Sequence, residues 1–172
     1  MSLPDDLLDH AAELAIQAVD KPKIRDVNRR RAVSACYYAL FHQINRDAAR
    51  LIAPNVTEET NHRIQRWFDH AEMKRVCRRF LPKLLDQPLR DLLGEAASQD
   101  LQMVALHFVK LQDARHSADY DLSYELSEDD TWELFEAASD AVKAWKRIAH
   151  TAEANIFILS LLLWKNWDRD RL

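Results

Sequence analysis

The sequence predicts an all-α fold. Gly94 is the single glycine among 172 residues, and there are only five prolines. Strands joined by tight turns usually need more of both residues, whereas helix interiors exclude them. Apolar residues make up 48% of the chain and charged residues 30%, which is typical of a globular rather than a disordered protein. A chain of this length is expected to form one domain, residues 1–172.

The first third of the chain predicts two helices. Ser2 is a suitable N-cap for the first helix, Pro4 fits its first turn, and the helix should end before Pro22. The second helix is predicted over about residues 24–52, because its apolar residues recur at helical spacing. The members of this apolar stripe are Val33, Tyr37, Leu40, Ile44, Ala48 and Leu51.

The middle of the chain predicts a less regular region. Residues 57–81 are expected to be helical in one or two pieces, because apolar residues recur through them. Those apolar residues are Ile64, Trp67, Phe68, Met73, Val76 and Phe80. Pro82, Pro88 and Gly94 follow, and they predict an irregular connection.

Two further helices bring the predicted number to about five. The fourth begins near Ser98 and carries an apolar face. That face consists of Leu101, Val104, Phe108 and Leu111. The fifth begins after Ser127, which forms an acidic version of the capping box with Asp130. Its core face consists of Trp132, Phe135, Val142, Trp145 and Ala149.

The C-terminal segment, residues 152–172, allows two interpretations. It either continues the fifth helix or breaks near Asn155, and it includes an apolar run from 156 to 164 followed by Trp167. Exposed apolar segments of this size mark interfaces, so the segment is predicted to be a partner surface. The alternative is that it folds back to complete the core.

Charge and motif content restrict the function classes. A net charge of −4 gives no general attraction for nucleic acid, so such binding would need a local patch. The basic clusters at residues 29–31 and 75–79 are expected to be solvated helix faces or, alternatively, local phosphate contacts. The chain carries no glycine loop suited to cradling phosphate.

No metal, cofactor or membrane segment is predicted. His62, His70, Cys36 and Cys77 match no zinc spacing, and the two cysteines do not form a disulfide framework. The first six residues lack the basic and apolar regions of a signal peptide, and the run at 156–164 is too short to span a bilayer. The expected location is therefore the cytoplasm.

Arg115 carries the strongest functional signal. The apolar face of the fourth helix covers an arc of roughly 80° at about 100° per residue, and Arg115 and Asp119 fall within that arc. A buried arginine keeps its charge and requires a partner. The four-residue spacing favours Asp119 as that partner. His116 and Tyr120 lie beside the arc, where they could face a groove.

Two hypotheses follow for these residues. In the first, Arg115 and Asp119 form a buried pair that only holds the helices in register. In the second, Arg115, His116, Asp119 and Tyr120 form a polar site that binds phosphate or moves protons. The spacing of the residues leaves both hypotheses open.

Two segments together resemble the HEPN superfamily. Residues 31–42, RAVSACYYALFH, resemble its A-x-x-x-x-Y-Y-A-x-F-H signature. Residues 115–120, RHSADY, are similar to the R-x-x-A-D-Y motif of one HEPN branch, and residues 3–8, LPDDLL, look like a HEPN first helix. The resemblance covers about residues 3–150. It implies an antiparallel helical bundle that forms a homodimer, with the two motif sites facing each other across the interface.

The resemblance also implies a function. Many HEPN proteins are metal-independent ribonucleases, often toxins of toxin–antitoxin or defence systems, and their catalytic motif is R-x(4–6)-H. In this chain Tyr120 occupies the histidine position of the R-x4-H form, and tyrosine, with a usual pKa of about 10, is a poor general base at neutral pH. The resemblance therefore favours a non-catalytic or weakly catalytic module that binds RNA, a nucleotide or a protein such as an antitoxin or nucleotidyltransferase.

Each hypothesis assigns roles to residues. In the binding module, Arg115 is the anion or structural anchor, Asp119 orients it, and Tyr38, His42 and Tyr120 line the groove. In the alternative, a metal-independent endoribonuclease, Arg115 stabilises the scissile phosphate. His116 or His42 then replaces the missing histidine, so that Arg115, His116 and Tyr120 form the catalytic group.

Overall fold

The computed structural model describes the backbone of residues 2–167 and the side chains of residues 2–163. Within that range the chain is helical and has no strand, which confirms the all-α class. The α-helices are α1 (Leu3–Asp20), α2 (Arg25–Ile52), α3 (Glu58–Gln65), α4 (His70–Arg79), α5 (Gln87–Leu93), α6 (Gln99–Tyr120), α7 (Glu128–Ile148) and α8 (Ala152–Trp167). A 3-10 turn, Pro22–Ile24, joins α1 to α2.

Helix caps explain where α1 and α7 begin. At α1, the Ser2 hydroxyl donates to Asp5 Oδ2 at 2.7 Å. At α7, Asp130 N donates to Ser127 Oγ at 3.0 Å and Ser127 N donates to Asp130 Oδ2 at 3.0 Å. This reciprocal pair is the capping box that the sequence predicts, and it satisfies backbone donors that the first turn leaves without partners.

The number of helices within the described residues exceeds the five predicted. Residues 87–93 form α5, whereas the prolines and glycine around them predicted an irregular connection. Pro88 lies in the first turn of this helix, Asp86 accepts a hydrogen bond from Leu89 N at 3.3 Å, and Gly94 ends it with a φ of 86°. Residues that interrupt a helix interior are thus used here at its two ends.

The C-terminal segment is a separate helix rather than a continuation of α7. The chain breaks at residues 149–151, earlier than the predicted Asn155, and Thr151 caps the new helix by accepting from Ala154 N at 3.2 Å. Helix α8 packs against α4 and α5. Its residues Phe157, Ile158 and Leu161 are buried, while Leu159 and Leu163 stay exposed. The part of the predicted partner surface from residue 164 onward lies outside the described side chains.

The chain divides into two compact units. The first is Met1–Gln43 with His107–Lys143, and the second is Ile44–Leu106 with Ala144–Leu172. In the first unit, the buried Tyr37 packs edge-on against Phe108 with ring centroids 5.6 Å apart. In the second, Phe157 packs against Phe80 at 5.1 Å and Trp145 at 5.8 Å.

Two residues of the predicted apolar faces are exposed. Trp67 lies in the turn between α3 and α4 and is 68% exposed. Leu51 lies in the last turn of α2 and is also exposed. The prediction failed for Trp67 because the turn breaks the helical periodicity on which it relied.

Among the residues described, no helix is both long and apolar enough to cross a bilayer.

Candidate functional site

The sequence-predicted site lies in the first unit, between two helices. The last turns of α6 carry Arg115 and Asp119, and the first half of α2 carries Ser34 and Tyr38. Each pair is separated by four residues, so each lies on one face of its helix. The two faces meet through side-chain hydrogen bonds.

Arg115 has partners on both helices. Its Nε atom lies 2.7 Å from Oδ2 of Asp119, and its Nη2 atom donates a hydrogen bond of 2.9 Å to the hydroxyl of Tyr38. The Nε–H bond is not aligned with the carboxylate oxygen, so the contact with Asp119 is an ion pair rather than a well-directed hydrogen bond. The Arg–Asp contact that the helical spacing predicts is present.

Asp119 is held from its other side by Ser34. The Ser34 hydroxyl donates to Oδ1 of Asp119 at 2.8 Å, so the two carboxylate oxygens have different partners. Ser34 was not among the predicted site residues. The signal for it is its position four residues before Tyr38 on the same face of α2.

Two tyrosine rings flank the guanidinium group of Arg115. Its Cζ atom lies 5.4 Å from the ring centroid of Tyr38 and 5.7 Å from that of Tyr120, within the range of a cation–π interaction. The side chains of Arg115 and Asp119 are each 19% exposed. Arg115 is therefore mostly shielded from solvent but still partly accessible, at the end of the apolar face of α6.

The two candidate histidines contact different tyrosines. His42 stacks on Tyr38 with ring centroids 5.8 Å apart and an interplanar angle of 23°. His116 packs against Tyr120 at 5.1 Å, and Tyr120 is 66% exposed. All of the predicted binding residues in the first unit thus lie in one chain of side-chain contacts around Arg115.

Arg30 is a structural residue of this region that the sequence did not reveal. Its Nη1 atom donates to the carbonyl oxygens of Ala118 at 3.0 Å and Asp121 at 2.9 Å, and its Nη2 atom donates to that of Tyr124 at 2.6 Å. The last turn of α6 has no basic residue of its own. Arg30 of α2 therefore satisfies the carbonyl group of Ala118, which the end of α6 leaves without a helical partner. It also holds two carbonyl groups of the segment that follows α6.

The three adjacent arginines of α2 have different environments. Arg29 donates to the carbonyl oxygen of Leu126 at 2.9 Å, and Arg30 also contacts Asp26 Oδ2 at 2.9 Å. Arg31 is exposed, and within the described residues no group forms a hydrogen bond or ion pair with its side chain. Of this cluster, only Arg31 is a solvated cation.

An open pocket of about 310 Å³ lies beside the Arg115–Asp119 pair. It is lined by Val27, Arg30, Arg31, Ala118, Asp119 and Tyr120. Because Arg30 and Asp119 are already engaged, Arg31 supplies the charge that is available to a ligand. The exposed ring of Tyr120 supplies an apolar surface.

Other reactive groups do not add a second centre. Burial raises the pKa of the Cys36 thiol to about 12, and burial also raises the pKa of the Cys77 thiol far above its usual value. Both thiols are therefore protonated and poorly nucleophilic at neutral pH. In the part of the chain that the structure describes, no group of three or more His, Cys, Asp or Glu side chains is placed to hold a metal ion.

No protein-family model, no curated protein and no solved structure matches the chain.

Proposed function

We propose that this chain is a HEPN-like helical module that binds the phosphate group of a nucleotide or RNA in the pocket beside Arg115. One observation supports the proposal most directly: the available guanidinium group of Arg31 and the exposed aromatic ring of Tyr120 line the same pocket. The HEPN assignment itself is supported by the sequence motifs at residues 31–42 and 115–120.

Arg31 is the proposed phosphate ligand. Its guanidinium group has five N–H donors in a planar arrangement that fits two phosphate oxygens. The neighbouring Arg30 uses its donors on carbonyl oxygens of the last turn of α6 and of the segment that follows it. Because Asp119 and the negative end of the α6 dipole also lie at the pocket, the net attraction for an anion is modest. We therefore expect weak binding that decreases with salt.

Tyr120 is the proposed contact for the base. A base that stacks on an exposed aromatic ring gains about 1–3 kcal/mol. The pocket volume of about 310 Å³ lies at the lower end of the range of small-ligand sites, roughly 300–1,000 Å³. A mononucleotide, or one nucleotide of an RNA chain, is the ligand that this size and chemistry favour.

Binding is a better interpretation of the site than RNA cleavage. Arg115 already contacts a carboxylate and a tyrosine hydroxyl and lies between two rings. An arginine that stabilises a transition state must direct free donors at the position where charge develops. We therefore assign Arg115 a positioning role, in which it holds Tyr38, Asp119 and Tyr120 in place.

The binding proposal is tested with mononucleotides. Titration calorimetry with AMP and ATP at low salt should show binding by the wild-type protein, and Arg31→Ala should weaken it about 10-fold or more. Arg50→Ala is the matched control, because Arg50 is an exposed arginine of the same helix. Equal affinities for the two variants would contradict the assignment of Arg31.

A second measurement separates binding from cleavage. A panel of tRNA and mRNA fragments is incubated with the purified protein in a chelator, since HEPN ribonucleases need no metal. The binding proposal predicts no cleavage above background. Cleavage by the wild-type protein that is lost in His116→Ala or His42→Ala would overturn it in favour of the endoribonuclease alternative.

We propose in addition that the module acts as a homodimer, which the HEPN resemblance implies. Light scattering coupled to size exclusion should give about twice the chain mass of 20.1 kDa. A mass of one chain at all concentrations up to about 100 μM, well above a typical dimer dissociation constant, would contradict this part of the proposal.

A further inference from the structure

A basic segment of the second unit has the composition of a nucleic-acid contact surface. Residues 63–83 contain seven Lys or Arg and two acidic residues, a net charge of +5 within a chain of net charge −4. Positive charge is therefore concentrated in one stretch of an otherwise acidic protein. Such a stretch attracts polyanions even when the whole protein does not.

Trp67 is the exposed aromatic residue of this segment. It lies in the turn between α3 and α4, where it is 68% exposed, while the next residue, Phe68, is buried. Phe68 thus anchors the turn to the core, and Trp67 is left in solvent. A large exposed ring contributes no core packing, and tryptophan is strongly enriched at recognition surfaces.

The cations of the segment fall into two groups. Arg63, Arg75 and Arg79 form ion pairs with nearby acidic side chains, and Lys74 is also engaged. The side chains of Arg66, Arg78 and Lys83 are exposed, and none of them has a partner among the residues that the structure describes. Three cations therefore remain available to a ligand.

These groups lie at the two ends of α4: Arg66 and Trp67 precede the helix, and Arg78 and Lys83 lie near and just after its end. Arg66 precedes Trp67 directly, and α4 begins three residues after Trp67. This ten-residue helix is about 15 Å long at 1.5 Å per residue, and Arg78 lies near its far end. On α4 the buried residues are Met73, Val76 and Cys77, so Arg78 belongs to the opposite, solvent-facing side.

We propose that Arg66, Trp67, Arg78 and Lys83 form a binding surface for single-stranded nucleic acid. Single strands are favoured over duplexes because the bases inside a duplex are already stacked on one another, whereas a single strand can present a base face to the ring. Phosphate groups would pair with the three cations, and a strand of about four nucleotides or more matches known site sizes. This surface is formed by residues of the second unit alone and does not depend on the Arg31 pocket.

The test uses a fluorescein-labelled 12-nucleotide oligo(U) RNA and a blunt duplex of the same length, measured by fluorescence anisotropy at low salt. The wild-type protein should bind the single strand more tightly than the duplex. Trp67→Ala should raise the dissociation constant about 5- to 150-fold, as expected for one stacked base. Trp67→Phe, which keeps an aromatic ring, should recover part of the affinity.

The cations are tested by the salt dependence. For single strands, each phosphate contact contributes a slope of about −0.7 to the plot of log affinity against log salt concentration. The double variant Arg66→Ala, Arg78→Ala should therefore have a slope that is smaller by about 1.4. Arg50→Ala, which removes an exposed arginine of α2 outside this surface, is the control and should leave the slope unchanged.

Three outcomes would overturn the proposal. They are an unchanged dissociation constant in Trp67→Ala, tighter binding of the duplex than of the single strand, and displacement of the RNA by polyglutamate as effectively as by unlabelled RNA. The last result would indicate an acidic protein as the partner. Melting temperatures of all variants check that folding is intact, which the exposure of Trp67 predicts.

The mononucleotide titrations keep this proposal separate from the one for the pocket. Trp67→Ala should leave AMP binding unchanged, because Trp67 is not among the residues that line the pocket. Conversely, failure of AMP to bind would contradict the pocket proposal without affecting the predicted contribution of Trp67 to strand binding.

Discussion

The Nε atom of Arg115 lies 2.7 Å from Oδ2 of Asp119, one helical turn away on α6. The contact connects two hydrogen bonds that reach α2, because Asp119 also accepts from Ser34 and Arg115 also donates to Tyr38. An ion pair within one helix thus becomes a link between α6 and α2. This link holds the wall of the pocket on which Tyr120 lies.

Arg115 and Asp119 should contribute to stability in an energetically coupled way. In a double-mutant cycle with Arg115→Ala and Asp119→Ala, we expect a coupling free energy of about 1–2 kcal/mol from urea unfolding, because both side chains are mostly shielded from solvent. The pair Glu59–Arg63 is the control. It has the same four-residue spacing but is mostly exposed, and we expect about 0.5 kcal/mol or less. Equal coupling free energies in the two cycles would contradict the prediction that shielding from solvent strengthens the Arg115–Asp119 pair.

Two adjacent arginines of α2 should differ in their effect on stability. Arg30→Ala removes donors from three carbonyl groups near the end of α6, so we expect a loss of about 2 kcal/mol. For a protein of this size, that loss corresponds to a melting temperature lower by roughly 4–8 °C. Arg31→Ala should change stability by less than about 0.5 kcal/mol, because its side chain is exposed. A similar shift for both variants would contradict the structural role of Arg30.

Replacing Asn45 by an apolar residue of similar size should stabilise the folded protein. Its side chain is fully buried, and among the residues described neither amide atom has a hydrogen-bond partner. Burying an unpaired amide costs about 1–3 kcal/mol, so Asn45→Leu, which is similar in size, should raise the free energy of unfolding. Thr131→Val is the control. It removes a hydroxyl that donates to the carbonyl oxygen of Ser127 at 2.8 Å and should lower stability by about 1 kcal/mol.

The outcome for Asn45 has one clear alternative. If Asn45→Leu lowers the free energy of unfolding by as much as Thr131→Val, the amide must be hydrogen-bonded in solution, most simply to a buried water molecule. That result would contradict the prediction.

His107 should make stability sensitive to pH in the mildly acidic range. Burial, and then the nearby charge of Lys110, lower its pKa below the ordinary value of 6.5, while Asp140 acts in the opposite direction. The unfolded chain therefore binds a proton more readily than the folded chain below pH 6.5. Stability that is present at neutral pH should be lost as the pH falls through this region.

The measurement is the melting temperature at pH 7.5 and at pH 5.5. The wild-type protein should lose more between these values than His107→Gln, which cannot titrate. His62→Gln is the control, because His62 is exposed. If His107→Gln shows the same loss as the wild-type protein, the pH dependence must come from other groups.

Local sequence patterns were sufficient to predict most of the helices. Ser127 and Asp130 mark the start of α7, and the periodic apolar residues of α2 and α6 define their buried faces. These predictions succeed because capping and helical periodicity depend on residues three or four positions apart. They failed at α5, where Pro88 and Gly94 act as helix ends rather than as interruptions.

The candidate site was predictable only in part. The spacing of Arg115 and Asp119 indicated their contact, since both lie on one helix. The hydrogen bonds from Arg115 to Tyr38 and from Arg30 to the carbonyl oxygen of Ala118 join residues 77 and 88 positions apart. No local pattern reports contacts at such separations.

The sequence by itself therefore determined the all-α class, the positions of the long helices and the ion pair between Arg115 and Asp119. Tertiary structure alone decided which charged side chains remain available to a ligand. It engages Arg30 with the end of α6, leaves Arg31 in solvent and leaves Trp67 exposed in a turn. The physical reason is that a side chain becomes free or engaged through the helix that packs beside it, and that neighbour comes from a distant part of the chain.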